Sequence, residues 1–265
     1  LQRSGPDHDQ AGPGGPGRLA ELWTLRGNIH FPRSELEECL AAHEQGLAFA
    51  RLAKSPVDEA RALGGLGDAR YQRGHMRTAR DHFARCVEEA RAQGAVGLAL
   101  SHAPMLALTR AYCGELRQAM ADCELAIAES RELGDPRSEL LSLDTGSTVA
   151  VYCGDYARVP GYAERGLALA RQLGARRFEA ELMAQLGHAL AEQGGGADAQ
   201  VLLRQASALA LEVASSYCAP WCLGIQALFT PNVERARELL AQGEAILAEG
   251  CVSHNHLEFR RAAIE

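Results

Sequence analysis

The chain has 265 residues, 47% hydrophobic and 23% charged, with a formal net charge of −7. That is ample apolar material for a core, and 5% aromatics beside abundant Ala, Leu, Glu and Arg favour helix over strand. Basic and acidic residues are interleaved, which argues against nucleic-acid binding by this segment, because phosphate contacts need clustered Lys and Arg.

No apolar run reaches the ~18 residues of a membrane span, and no charged-then-apolar leader opens the sequence, so neither a membrane partner nor a signal peptide is expected. The eight cysteines (Cys39, Cys86, Cys113, Cys123, Cys153, Cys218, Cys222 and Cys251) are scattered. In a helix-rich chain of this length they fit reduced thiols in a cytoplasmic setting.

Residues 1–17, LQRSGPDHDQAGPGGPG, hold five Gly and three Pro and read as a flexible linker. Residues 18–265 read as one domain of helical repeats. The chain ends inside LEFRRAAIE, which looks like an unfinished helix, so a piece of a longer protein is expected.

Within the domain, Gly74, Gly94, Gly114, Gly134, Gly154, Gly174 and Gly194 recur every twenty residues. The residue just past a helix end often adopts the left-handed conformation, which suits glycine. Each glycine is therefore predicted to close a helix of about 15 residues, roughly 22 Å long. Ser34 takes the equivalent place one unit before Gly74. Ser55-Pro56 and Asp135-Pro136 each put a capping side chain before a proline at a helix start, and Ser55 with Asp58 forms a variant capping box.

Between these marks lie amphipathic stripes. Ala79, Phe83, Cys86, Val87 and Ala90 share one helical face. Val201, Leu202, Ala206, Leu209 and Ala210 do so less cleanly. Twenty residues per helix and forty per pair predict a stack of antiparallel helix hairpins, nearly six plus a truncated seventh. Small residues fall into register. Gly27, Gly67, Ala107, Ser147 and Gly187 form one column, Cys39, Ala79, Ala119, Val159 and Ala199 a second, and Gly46, Cys86, Ala126, Gly166 and Ala206 a third. They let neighbouring helices approach closely.

These columns resemble the tetratricopeptide repeat. Leu66-Gly67, Gly74, Ala79, Phe83 and Cys86 carry the likeness best. Leu186-Gly187, Gly194, Ala199, Leu203 and Ala206 follow, and Leu223-Gly224, Ala236, Leu240 and Gly243 extend it at a spacing of 37. The unit is about forty residues instead of the usual 34, and the usual end-of-unit proline is mostly missing. The resemblance implies an all-α, right-handed superhelical solenoid of helix hairpins, with the first helix of each pair lining a concave face.

Chemical motifs are sparse. Tyr112-Cys113-Gly114 and Tyr152-Cys153-Gly154 stand forty residues apart. Equivalent slots in stacked repeats lie about 10 Å apart, too far for a disulfide, so both cysteines are expected as core filler. Cys218 and Cys222, in the apolar stretch YCAPWCLGIQALF, are half a zinc site at best and read as buried packing. Cys251, His254 and His256 match no zinc spacing, and His254 or Asn255 reads as a polar helix start. The pairs Glu37-Glu38 and Glu88-Glu89 read as solvated faces. No nucleophile–base set, phosphate loop or metalloprotease motif is present. No catalytic residue, metal or cofactor is therefore assigned.

In register with the repeat, the concave face is expected to carry Asn28, Asp68, Tyr71, Tyr112, Asp144, Tyr152, His188 and Trp221. Tyrosines on a groove suit peptide recognition, and packing between neighbouring units is the equal alternative. The implied partner is a protein, a peptide or another domain of the same chain. The stretches GNIHFPRSELEECLAAHEQGLAFAR, ALGGLGDARYQRGHMRTARDHFARCVE and LAEGCVSHNH are similar to C-terminal repeats of bacterial multidomain signalling proteins. There, repeats accompany an ATPase with a class III adenylate/guanylate cyclase domain or a LuxR-type DNA-binding domain. That resemblance implies a regulatory scaffold of an ATPase–cyclase. The alternative is the effector-sensing arm of a LuxR-type activator.

Overall fold

A computed structural model describes residues 15–33 and 35–264. Most of the expected linker, and Ser34, lie outside the described residues. Among those described, thirteen α-helices and one short 3-10 turn (Phe31–Arg33) occur, with no strand. In chain order they are α1 (Pro16–His30), α2 (Leu36–Leu52), α3 (Pro56–Gln72), α4 (Met76–Ala92), α5 (Val96–Tyr112), α6 (Leu116–Leu133), α7 (Pro136–Tyr152), α8 (Val159–Leu173), α9 (Arg176–Glu192), α10 (Gly196–Val213), α11 (Ser215–Leu228), α12 (Val233–Glu249) and α13 (Ser253–Ile264). None of them is long and apolar enough to cross a membrane.

The twenty-residue glycines end helices as expected. All seven have φ between +65° and +85°. At Gly114 the closing bonds are those of a Schellman turn. The Glu115 N–H donates to the Arg110 carbonyl (2.9 Å) and the Gly114 N–H to that of Ala111 (3.0 Å). The series also extends one step earlier than glycine shows. Lys54, twenty residues before Gly74, is left-handed at φ +52°. There the Ser55 N–H donates to Ala50 O and the Lys54 N–H to Arg51 O, both at 3.1 Å.

Helix starts follow their caps. The Asp135 carboxylate accepts from the N–H groups of Arg137 and Ser138 at 3.0 and 3.1 Å. Ser55 Oγ accepts from Asp58 N–H and donates to its carboxylate.

The helices fall into two compact units. The first holds α1, α2, α3 through Arg70, α4 from Thr78 and the start of α5 through His102. The stripe Ala79, Phe83, Cys86, Val87 and Ala90 is buried there. Phe83 lies against Gly67, where an added Cβ would be 2.5 Å from the ring. Two imidazoles use the same device: His43 sits against Gly27 and Gly65, and His102 against Gly64. Burial holds both pKa values down at about 4, so both rings are neutral packing groups.

The second unit holds Tyr71–Arg77 and everything from Ala103 onward. Its core includes Leu140, Leu143, Leu182, Leu203, Cys218 and Cys222, all essentially inaccessible. In the other amphipathic stripe Ala206 and Ala210 are buried, but Val201 is 44% exposed. The last helix is seated by Phe259, fully buried against Gly224 and Gly243.

The core-filler expectation for the paired YCG cysteines needs correcting. Cys113 is half-buried and Cys153 exposed. Cys153 is the C-cap of α7, where the chain leaves the helix and the side chain turns away from the packed face.

A cavity lined by the first helices of the hairpins

The functional candidate is a cavity of about 70 Å³ whose lining residues all belong to the second unit. Tyr71 comes from the end of α3. Met105, Leu108 and Tyr112 come from α5, and Leu141, Asp144, Thr145, Thr148 and Tyr152 from α7. Arg177, Phe178, Glu181 and Gln185 come from α9, Tyr217 and Trp221 from α11, and His254 and Glu258 from α13. Spacings of three and four residues place each set on one helical face.

Aromatic rings form much of the wall. Tyr112 lies 6.4 Å from Tyr71 and 5.9 Å from Tyr152, centroid to centroid, in tilted pairs. His254 stacks on Tyr71 at 5.7 Å and meets Tyr217 edge-on at 5.1 Å. The last helix is tied in by hydrogen bonds. Tyr152 Oη donates to the Glu258 carboxylate, and Ser253 Oγ donates to the Tyr71 carbonyl.

The polar groups are tightly held. Arg177 donates from Nη1 to both Glu181 oxygens at 2.8 Å, and its guanidinium lies 4.4 Å from the Tyr217 ring centre. Arg261 approaches Glu258 at 3.6 Å and lies over the Tyr152 ring at 5.1 Å. Gln185 Nε2 donates to Thr148 Oγ1 at 3.0 Å. Three buried acceptors on the lining residues have no hydrogen-bond partner: Asp144 Oδ1, Gln185 Oε1 and His254 Nδ1.

Electrostatics follow from burial. Desolvation pushes the Asp144 carboxyl well above the usual carboxylate range, with Glu181 adding to the rise and Arg177 opposing it. Burial also raises Glu181 against the pull of Arg177, and Glu258 against that of Arg261. The same cause drives the hydroxyls of Tyr71, Tyr112 and Tyr152 well above their ordinary value. His254 is lowered to about 4 by burial and is neutral. Its Nε2 donates to the Tyr217 carbonyl at 2.8 Å, which leaves Nδ1 as a lone-pair acceptor.

Of the residues expected on the inner face, Tyr71, Tyr112, Asp144, Tyr152 and Trp221 meet at this cavity. Three do not. Asn28 is exposed on α1 in the first unit. Asp68, also in the first unit, is half-buried, and desolvation raises its carboxyl to about 7. His188 is a core ring, 5.9 Å from Tyr156 and 5.2 Å from Phe229, with Glu192 at 3.6 Å.

His188 lies off this cavity for a geometric reason. A fixed forty-residue register assumes that each first helix turns the same segment inward. In the second unit the lining segment instead slides toward the helix start. It spans Met105–Tyr112 at the end of α5, Leu141–Tyr152 in α7, Arg177–Gln185 in the first half of α9, and Tyr217–Trp221 in α11. By α9, the late slot of His188 has left the wall. The same drift hid Arg177, Glu181 and Gln185, whose spacing of four along α9 was the available signal. Tyr217, His254 and Glu258 were also missed.

His254 stands in the first turn of α13, as a polar helix start should, but is 6% exposed. Among the described residues no group of three or more His, Cys, Asp or Glu is placed to hold a metal ion.

No protein-family model and no curated protein matches the sequence. Solved structures do resemble it in fold. The apo form of RapI aligns with a TM-score of 0.74 at 12% identity, over 88% of this chain and 86% of its own. A Rap protein complexed with Competence and Sporulation Factor aligns at 0.70 and 14% identity, over 93% and 72%. TPR-like repeats of a putative kinesin light chain from Podosopora anserina align at 0.59 and 16%, over 74% and 96%. In fold, this chain is an all-α, TPR-like stack of helix hairpins.

Proposed function

We propose that the chain is a protein-interaction and regulatory module that holds a peptide, or a segment of another domain, on the inner face of its second unit. One observation carries this reading: five first helices and the end of α3 bring aromatic rings and unpaired acceptors to a single cavity. Two structures of similar fold support it, a Rap protein complexed with Competence and Sporulation Factor and a Rap conjugation regulator in complex with the Phr* peptide.

The cavity holds about 70 Å³, far below the ~300–1,000 Å³ of a drug-sized ligand site. A peptide therefore enters it with one side chain and lays its remainder along neighbouring surface. No catalysis is assigned to the segment. The setting is read as cytoplasmic, from eight free thiols. The parent is read as a bacterial signalling ATPase–cyclase, on the sequence resemblance alone. Ligand binding would then bias a distant catalytic domain by its differential affinity for two states. In the alternative, a LuxR-type activator, the same face senses a small effector.

Panning a random peptide library on the chain tests the central claim. The expected result is a converged sequence that binds the native chain and loses affinity for the Tyr112→Ala and Trp221→Ala variants. Peptides that fail to converge, or that bind the folded variants equally well, would refute it.

A further inference from the structure

The unpaired groups at the cavity have a common character. Asp144 Oδ1, Gln185 Oε1 and His254 Nδ1 are all acceptors. Gln185 and His254 are each only 6% exposed, so these atoms are held away from bulk water. On the donor side, Gln185 Nε2 gives one N–H to Thr148 and His254 Nε2 gives its N–H to the Tyr217 carbonyl. Buried acceptors without a donor are costly, so such a site favours a guest rich in N–H groups.

Charge points the same way. Three carboxyl groups (Asp144, Glu181 and Glu258) line the space with one guanidinium, that of Arg177. Arg177 is spent on Glu181, and Arg261 reaches Glu258 from beyond the lining. Even counting Arg261, ionising all three carboxyls would leave the set one positive charge short, and burial opposes that ionisation while no cation is present. The rings of Tyr71, Tyr112, Tyr152 and Trp221 complete the wall, and aromatic faces attract cations.

We propose that this cavity receives one cationic head group, a guanidinium or a primary ammonium, presented by the side chain of a bound peptide. A cation beside Asp144 favours its ionised form against the cost of burial, so Asp144 supplies the countercharge, and Gln185 Oε1 and His254 Nδ1 accept further N–H bonds. The size suits this guest. At the ~10–15 Å³ that each water-sized group needs, 70 Å³ admits about five, enough for a small head group. Carboxylates repel an anion, and a neutral apolar group leaves all three acceptors unpaired. The inference rests on the reading of this inner face as the binding surface.

Methylguanidinium and methylurea, alike in shape and different in charge, are the probes, followed by saturation-transfer NMR on the intact chain. Methylguanidinium is expected to bind and methylurea to bind at least tenfold more weakly. Asp144→Asn, shown folded by circular dichroism, is expected to weaken methylguanidinium at least tenfold. Should that variant not fold, Gln185→Met is read instead, with a several-fold loss expected. Equal binding of the two probes, no binding of methylguanidinium, or an unchanged affinity in a folded variant overturns the proposal. Panned peptides separate the two readings. If they bind the inner face yet tolerate replacement of every Arg and Lys by Ala, the cation site falls and the peptide-binding function stands.

Discussion

Lys54 occupies a place that glycine fills seven times elsewhere. Its φ of +52° is left-handed, and the two backbone bonds around it match those at Gly114. Left-handed backbone costs a residue with a Cβ roughly 1–2 kcal/mol. Replacing it by glycine removes that cost but adds about 0.4–1 kcal/mol of unfolded-state entropy. Lys54→Gly is thus expected to stabilise the protein by about 0.5–1 kcal/mol. The converse change, Gly114→Val, is expected to cost about 1 kcal/mol or more. An added Cβ at Gly114 meets nothing within 4 Å, so the loss there reports backbone strain and not a clash. Urea unfolding reads both. With a slope of about 3 kcal/mol/M, Lys54→Gly should raise the midpoint by about 0.2–0.3 M and Gly114→Val should lower it by at least as much. A midpoint lowered by Lys54→Gly, or unmoved by Gly114→Val, would refute the claim that these positions are helix caps selected for conformation.

Three further outcomes follow from burial. His43 has a folded pKa of about 4 against 6.5 unfolded, so below pH 6.5 the unfolded chain binds the extra proton. Stability from His43 is therefore present above pH 6.5 and lost as pH falls toward 4. Between pH 7 and pH 4.5 the native chain should lose about 2 kcal/mol more than His43→Gln, measured by urea titration at each pH; parallel losses would show that the ring is not buried and neutral. Iodoacetamide under native conditions should label exposed Cys153 well before Cys218 and Cys222, as read by peptide mass spectrometry, and uniform labelling would contradict the packing of α11. Phe259→Ala should cost about 3–5 kcal/mol in the seating of α13, and hydrogen exchange should show α13 amides losing protection while α2 is unchanged; retained protection in α13 would mean that Phe259 is not its anchor.

The architecture was legible because it is written in local signals. A left-handed residue every twenty positions and a proline after Ser55 and Asp135 each follow from one segment's own geometry, and the small residues opposite Phe83 and Leu203 from the packing of two adjacent helices. Lys54 escaped notice because a lysine carries no mark of left-handed backbone. The core-filler reading misplaced Cys153 because residue type was weighed above position, and this C-cap of α7 points out of the packed face. The site was harder to read, since it depends on how successive helices turn. Tyr112 and Tyr152 share a slot, and their hydroxyls stand 3.4 Å apart. His188, in the slot of Thr148 one unit later, lies elsewhere, because the inner patch has moved toward the start of α9.

That drift has a chemical consequence. A wall built from one repeated slot would carry nearly the same residue type from each unit, and nearly the same chemistry. Sliding the patch along successive helices samples different slots: tyrosine from the end of α5, aspartate and threonine from the middle of α7, arginine and glutamate from the start of α9. Helix α13 then adds His254 and Glu258 from its first two turns, held in place by Phe259. Unlike groups with opposed charges and unsatisfied acceptors are in this way gathered by a nearly uniform repeat. On the proposed reading, the selectivity of the cavity would depend on how neighbouring hairpins pack as much as on the identity of any lining residue. A substitution that alters helix approach, such as a larger residue at Gly187 against Leu203, would change what the cavity accepts without touching its wall.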